Sequence, residues 1–240
     1  MKIALIGYGK MGQMLEKAAV GRGHSIVARI TSNRWEAEAI RHADTCLEFT
    51  HPESALENIR KIAELKKEVI IGTTGWHDKL ELVQAIVEEH QIGALHSPNF
   101  SIGVNLLLEI LAHASKVMNA FKEYDVAGLD IHHNQKKDSP SGTAMEIART
   151  IEKNMQRVDK VPFSSMRCGS VPGTHTVIFD SLCDTISISH TARNREGFAQ
   201  GAVQAAEWLR GRKGLYTFAD CMREIIGTAA PADAADRTIN

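Results

Sequence analysis

The 240-residue chain has almost no net charge, with 28 lysines and arginines set against 29 aspartates and glutamates. That balance removes any general electrostatic reason to expect nucleic acid or an anionic membrane as a partner. Cysteine is scarce: Cys46, Cys168, Cys183 and Cys221 are scattered, with no C-x-x-C pair. A disulfide framework or a zinc site therefore fits less well than buried free thiols in a reducing compartment. No apolar run approaches the ~20 residues of a membrane span, and Met1-Lys2-Ile3 runs into a strand rather than a leader's apolar region. Internal repeats and low-complexity tracts are lacking too. The expectation is a cytoplasmic, globular protein with a small-molecule ligand.

What is present is an alternation of short apolar runs and amphipathic segments. Lys2 to Ile6 reads as a strand ending in Gly7-Tyr8-Gly9-Lys10-Met11-Gly12, and a helix follows with Met11, Leu15, Ala18 and Ala19 on one face. A G-x-G-x-x-G between strand and helix is a dinucleotide fingerprint, its glycines permitting a tight turn and close approach of a pyrophosphate. Strands over Ser25 to Ile30, Asp44 to Phe49, Glu68 to Ile71 and Ile92 to Leu95 alternate with helices, which implies a parallel sheet. The loops at its carboxyl ends are where ligands bind: Thr31-Ser32-Asn33-Arg34, Gly72-Thr73-Thr74-Gly75 and Ser97-Pro98-Asn99-Phe100-Ser101. No acid occurs after the second strand before Glu36. Small hydroxyls and Arg34 suit a ribose 2′-phosphate, so NADPH is favoured, with NADH admitted as second choice.

Beyond a helix over Asn105 to Met118 the pattern changes. Tyr124 to Ile131 alternates like a strand, and the periodicity of Ala144, Ile147, Ala148, Ile151 and Met155 predicts a helix. Strands over Lys160 to Arg167, Thr174 to Asp180 and Thr185 to His190 then neighbour one another without intervening helices. The fold class is thus α/β: a Rossmann-type doubly wound parallel sheet, followed by an α+β domain whose mixed sheet carries helices on one face. The expected division is 1–102 plus 214–240 for dinucleotide binding and 103–213 for substrate. The segment Ala229 to Asn240 has no clear apolar face and is expected to be poorly ordered.

Between the strand and helix of the second domain lies Ile131-His132-His133-Asn134-Gln135-Lys136-Lys137-Asp138-Ser139-Pro140-Ser141-Gly142-Thr143. Two histidines leave the strand on opposite faces, so they cannot share a metal, and no third ligand lies at zinc spacing. Ser139-Pro140 reads as a helix cap, with Pro140 as the first helical residue. That would leave the amides of Ser141, Gly142 and Thr143 free to bind a carboxylate or phosphate. His24, His42, His77, His90 and His113 occur singly and read as structural or exposed, with His175 a minor candidate.

The block Asp130-x-His132-His133-x-x-Lys136-x-Asp138-x-Pro140-Ser141-Gly142-Thr143 resembles the (E/D)-x-H-H-x-x-K-x-D-x-P-S-G-T-A signature of dihydrodipicolinate reductases. The fingerprint, Gly72-Thr73-Thr74, Ser97-Pro98-Asn99-Phe100 and Gly169-x-x-Pro172-Gly173-Thr174-His175 extend the resemblance, in order, over nearly the whole chain. It implies NAD(P)H-dependent reduction of a cyclic imine dicarboxylate in lysine and diaminopimelate biosynthesis. His132 would be proton donor, Lys136 a second proton-donating or charge-stabilising group, and His133, Gly142 and Thr143 substrate-binding residues. Gly7, Tyr8, Gly9, Lys10, Met11, Gly12, Thr31, Ser32, Gly72, Thr73, Thr74, Ser97, Pro98, Asn99 and Phe100 would meet the cofactor. The resembled enzymes form homotetramers. Here the segment between Pro172-Gly173-Thr174 and His175 lacks an inserted strand-loop that contributes to their assembly. Two other readings of the residues are another imine or amino-acid dehydrogenase and a dinucleotide-sensing protein without turnover.

Overall fold

The computed structural model describes residues 1–32 and 34–229. Asn33 of the ribose-loop reading and 230–240 of the tail reading lie outside the described residues.

The chain forms two compact units, Met1–Ile102 with the segment from Phe198 onward, and Gly103–Gly197. In the first, β1 (Lys2–Ile6), β2 (Ser25–Ile30), β3 (Thr45–Glu48), β4 (Glu68–Ile71), β5 (Gly93–His96) and β10 (Gly214–Thr217) make one parallel sheet in the order β10-β5-β4-β3-β1-β2. Both faces are covered, which explains the near-continuous apolar strands. On one face Ile3, Leu5, Leu47, Ile70 and Leu95 pack with α1 (Lys10–Gly21), α6 (Glu196–Leu209) and α7 (Phe218–Ala229). On the other, Ala4, Ile6, Cys46, Val69, Ile71 and Ala94 pack with α2 (Pro52–Glu64) and α3 (Leu80–His90). The alternation of neighbouring residues between the two cores is the two-residue period of a strand.

The division differs from the sequence expectation at one helix. Helix α6, expected in the substrate domain, contributes Ala199, Ala202, Val203, Ala205, Ala206 and Leu209 to the first core. Its small residues allow close packing, and at Gly201 an added Cβ would lie 1.8 Å from the Phe100 carbonyl oxygen.

In the second unit β6 (Asp125–His132), β7 (Phe163–Arg167), β8 (Thr174–Asp180) and β9 (Thr185–Thr191) form a mixed sheet ordered β7-β6-β8-β9. β6 runs parallel to β7 and antiparallel to β8, which pairs antiparallel with β9. Helices α4 (Ile102–Met118) and α5 (Gly142–Asn154) cover one face through Leu107, Leu111, Ile147, Ala148 and Ile151, packed on Val126, Val177 and Phe179. The apolar parity of β6, Ala127, Leu129 and Ile131, is the less buried one; the inner parity is Val126, Gly128, Asp130 and His132. The thiols divide as well. Cys46 and Cys221 are buried and pushed up to about 12 by desolvation, whereas Cys168 and Cys183 are exposed, contrary to the expectation for all four. Among the described residues no helix is long and apolar enough to cross a membrane.

Candidate active site

The fingerprint turn is built for close backbone approach. Gly7 has φ +95°, and a Cβ there would lie 2.1 Å from the Phe49 carbonyl oxygen, so no side chain is admitted. At Gly9, the N-cap of α1, a Cβ would meet nothing within 4 Å, which leaves open space before the first helical amides. Glycine backbone beside an open helix N-terminus fits a dinucleotide pyrophosphate. Tyr8 lies partly buried against the first core, its hydroxyl donating to Glu16. Glu16 is held at about 2, mainly by Arg29, whose guanidinium stands 5.8 Å over the Tyr8 ring. Lys10 is exposed; Met11 packs on the core and Gly12 is buried, its missing Cβ making room for the Gly7 carbonyl.

The other expected cofactor residues divide into open and spent groups. Thr31, Ser32, Arg34 and Thr74 are exposed. Thr73 is buried; its hydroxyl accepts the Thr50 N–H at 2.7 Å and its carbonyl accepts the Trp76 indole N–H at 2.7 Å. Gly72 has no room for a side chain, since a Cβ would overlap the Phe49 ring. Ser97 and Asn99 shape their own turn: the Ser97 hydroxyl donates to the Asn99 carbonyl oxygen, and Asn99 Oδ1 accepts the Ser101 N–H. Pro98 is exposed in that turn. Phe100 points into the core between Phe49 and Phe218, at centroid distances of 5.9 and 5.1 Å. Its ring is thus core material, because an apolar ring gains more there than at a solvated loop.

In the second unit the inner face of β6 carries the polar cluster. Asp130 is fully buried. Its Oδ2 accepts from the Ser141 N–H at 2.8 Å, Arg167 Nη2 at 2.9 Å and the Ser165 hydroxyl at 3.2 Å. Its Oδ1 lies 2.7 Å from His132 Nδ1 and 3.5 Å from His175 Nε2. The first of these is close without being an aligned hydrogen bond. Register explains the gathering: Asp130 pairs with Ser165 on β7 and His175 on β8, and His175 pairs with His190 on β9. Burial alone would raise Asp130, but the Ser141 N–H, Arg167 and His132 outweigh it and hold it at about 2. Burial lowers His132, opposed by Asp130 and reinforced by Lys136 and Arg167.

His175, a minor candidate in the sequence, is central here. Its Nε2 is 3.0 Å from the Ser141 hydroxyl, and its ring sits 5.2 Å from that of His132, edge to face. Desolvation, aided by His132, His190 and Lys136 against Asp130, pushes it down to about 4. The unfolded chain therefore takes up this proton near 6.5, while the folded one resists it until near 4. Stability is expected to fall by up to about 3 kcal/mol as pH drops through that window. Urea unfolding midpoints between these pH values should show the loss, and His175→Gln should flatten it.

The cap of α5 differs from the expectation. Ser141, not Ser139, is the N-cap; its hydroxyl accepts the Ala144 N–H, and Gly142 is the first helical residue. Two of the amides expected to be free are engaged: Ser141 N–H on Asp130, and Gly142 N–H on Asp138 Oδ2 at 3.2 Å. Asp138 Oδ1 is also 2.7 Å from Lys136 Nζ. Lys136 and the helix start thus already hold a carboxylate, with the pull of Lys136 keeping Asp138 below its ordinary range. Gly142 is exposed with open space where a Cβ would be, and His133 and Thr143 are half-buried nearby in sequence.

Asp130, His132 and His175 offer three ligand atoms within 4.8 Å of one another, a grouping that strand register creates and sequence spacing hides. The Arg167 guanidinium on the same carboxylate, with Lys136 close enough to lower both histidines, makes this an ion-paired cluster rather than a cation site. Asp130 could have been found in the sequence, since it stands two residues before His132 on one strand. Arg167 could not, because its position depends on β6–β7 register.

A dinucleotide fingerprint in a parallel sheet, with a second unit presenting a buried histidine and an anion-gripping loop, defines a two-domain NAD(P)H-dependent oxidoreductase. Comparisons with known proteins specify the family. The N-terminal family described as "Dihydrodipicolinate reductase, N-terminus" matches residues 1–100, and its C-terminal counterpart matches residues 103–222. The chain belongs to the dihydrodipicolinate reductase family. It is 36% identical over 236 residues to a 4-hydroxy-tetrahydrodipicolinate reductase of Christiangramia forsetii, covering 94% of this chain and 99% of that one. The reductase of the same name from Bdellovibrio bacteriovorus is 36% identical over 228 residues, covering 92% and 96%. A solved dihydrodipicolinate reductase from Paenisporosarcina sp. TG-14, described as dipicolinate-bound, shares the fold with a TM-score of 0.79 at 21% identity, covering 92% and 98%.

Proposed function

We propose that this chain converts 4-hydroxy-tetrahydrodipicolinate to tetrahydrodipicolinate in lysine and diaminopimelate biosynthesis, the hydroxyl leaving as water and a hydride and a proton adding to the resulting conjugated imine, with His132 as proton donor and Lys136 and the start of α5 as the carboxylate grip. The observation that carries this assignment is the placement of His132, buried on the inner face of β6 beside an ionised Asp130, at the strand end that leads into that grip. When bound, the nicotinamide supplies a hydride. His132 supplies the proton for the carbon beside the one reduced, a task suited to an imidazole whose ordinary pKa is near neutrality. Lys136 and the Gly142 N–H hold Asp138 in the free protein. A substrate carboxylate takes that place when Asp138 turns away, since both donors favour any carboxylate. His133 and Thr143 flank the grip and complete the substrate contacts. The fingerprint, the open positions Thr31, Ser32 and Thr74, and the Ser97–Asn99 turn form the cofactor side.

The assay is NADPH oxidation, followed by absorbance, with substrate generated by the upstream synthase. Turnover only in the presence of that substrate supports the assignment. Cofactor binding without turnover, over roughly pH 6 to 8 where histidine can change charge, overturns it in favour of a sensor.

Among the two nicotinamides NADPH is the preferred partner, on the absence of an acid at Thr31 and Ser32 and the exposed Arg34 beyond them. Thr31→Asp should swing preference toward NADH, by accepting the 2′-hydroxyl and repelling a 2′-phosphate. Dissociation constants for both cofactors at low ionic strength check this. Wild-type protein binding NADH tenfold more tightly, about 1.4 kcal/mol, would mean that Arg34 plays no part.

A further inference from the structure

The carboxylate of Asp130 is divided in its duties. Oδ2 is saturated by three donors, the Ser141 N–H, Arg167 Nη2 and the Ser165 hydroxyl. Those donors come from the start of α5 and from β7, so they fix the carboxylate's rotation as well as its charge. Oδ1 is left with imidazole nitrogens alone, His132 Nδ1 at 2.7 Å and His175 Nε2 at 3.5 Å. The nearer contact is not yet aligned, as is common before substrate closes a site. On the far side of the His132 ring, Nε2 lies beside the Gly173 backbone: a Cβ added at Gly173 would lie 2.8 Å from it. One nitrogen of His132 therefore stands against a fixed anion and the other does not.

We propose that Asp130 is the positioning residue of His132, holding the neutral ring as the Nδ1–H tautomer and leaving Nε2 as the nitrogen that carries the transferred proton. This rests on the reading of His132 as proton donor and extends it to the atom. The second nitrogen's hydrogen bond decides which nitrogen reacts, as in other carboxylate–imidazole pairs. The groups around His132 fit the assignment. Lys136 on the loop and Arg167 on β7 both oppose its protonation, and Asp130 is the anion that counters them. On β8, His175 is held neutral near neutral pH by burial and by His190 behind it on β9, so it adds no charge of its own. Its Nε2 engages the Ser141 hydroxyl, which leaves Oδ1 of Asp130 to His132.

The test has two independent arms. In wild-type protein, nitrogen-15 spectra of the His132 ring should show Nδ1 protonated in the neutral form and Nε2 as the titrating atom. The opposite tautomer overturns the proposal, whatever any variant does. In the second arm, Asp130→Asn keeps the shape and removes the charge. Its kcat should fall about 10²-fold, with dinucleotide affinity retained, because the amide no longer favours the reactive tautomer and charge state. The alkaline fall of kcat/KM should move at least about one unit to lower pH, the usual worth of an opposite charge at this range. Asp130→Glu should return the fall toward the wild-type position. Ser165→Ala, which removes one donor to Oδ2 and leaves Oδ1 alone, should not move it. A fall in the same place for wild type and Asp130→Asn reduces Asp130 to a structural ion pair. Full turnover in a His132→Ala variant refutes the parent reading instead, so the two failures are distinct.

Discussion

Replacing His132 with alanine is expected to lower kcat by about 10²–10⁴-fold, the usual contribution of a general acid. The loss should appear in kcat and kcat/KM together, because the carboxylate grip of Lys136 and the Gly142 N–H is untouched. Steady-state kinetics with saturating NADPH, beside cofactor titrations showing unchanged affinity, make the measurement. The wild-type pH profile carries a second signature. A proton donor must be charged before the step, so activity falls as pH rises past its pKa. Burial, with Lys136 and Arg167, lowers His132 in the free protein below its ordinary 6.5. The alkaline fall of kcat/KM, which reports the free enzyme, should therefore begin on the acid side of that value. The fall of kcat should lie at higher pH, since a bound dicarboxylate adds negative charge and favours the imidazolium. Coincident falls, or undiminished turnover in His132→Ala, would move the proton transfer to another group.

The largest stability effect is expected at the fingerprint. Gly7→Ala places a Cβ about 2 Å from the Phe49 carbonyl oxygen at a backbone angle of +95°. The left-handed conformation costs an ordinary residue about 1–2 kcal/mol, and overpacking against backbone adds about 1–3 kcal/mol. Denaturant unfolding should register a loss of several kcal/mol, and dinucleotide binding should be abolished, because relief requires the turn to open. Gly9→Ala is the contrast. Nothing lies within 4 Å of its Cβ position, so the fold should tolerate it and the loss should be confined to cofactor affinity.

Much of this was readable in the residues. The short apolar runs of β1, β3 and β4 and the helical spacing of the segments between them imply the parallel sheet, because a strand with a core on both faces is apolar throughout. The mixed second sheet was equally legible from strands lacking intervening helices. The failures have physical causes. Helix α6 was placed by its order in the chain, whereas its alanine face is complementary to the first core. On β6 the apolar parity pointed to Ala127, Leu129 and Ile131, yet the buried parity carries Asp130 and His132. A strand that delivers polar groups to a site breaks the rule that apolar residues face inward. Phe100 does lie in its loop, and what the sequence did not show is that its ring turns into the core beside Phe49 and Phe218. Arg167 and His175 reach Asp130 only through strand register, which single-sequence patterns do not carry.

The interruption of the first unit by the second has a kinetic consequence. Strand β10 and helices α6 and α7 follow the whole of Gly103–Gly197, yet they provide one edge of the six-stranded sheet and about half of one of its cores. During synthesis the segment up to Ile102 emerges with Ile3, Leu5, Leu47, Ile70 and Leu95 lacking α6 and α7 as cover. The contiguous second unit, by contrast, has all of its strands in hand once β9 has left the ribosome. Its folding can precede completion of the first unit, and the dinucleotide domain must wait, sticky on one face, for the segment from α6 onward. Chaperone dependence should accordingly concentrate in nascent chains that end between β5 and α6.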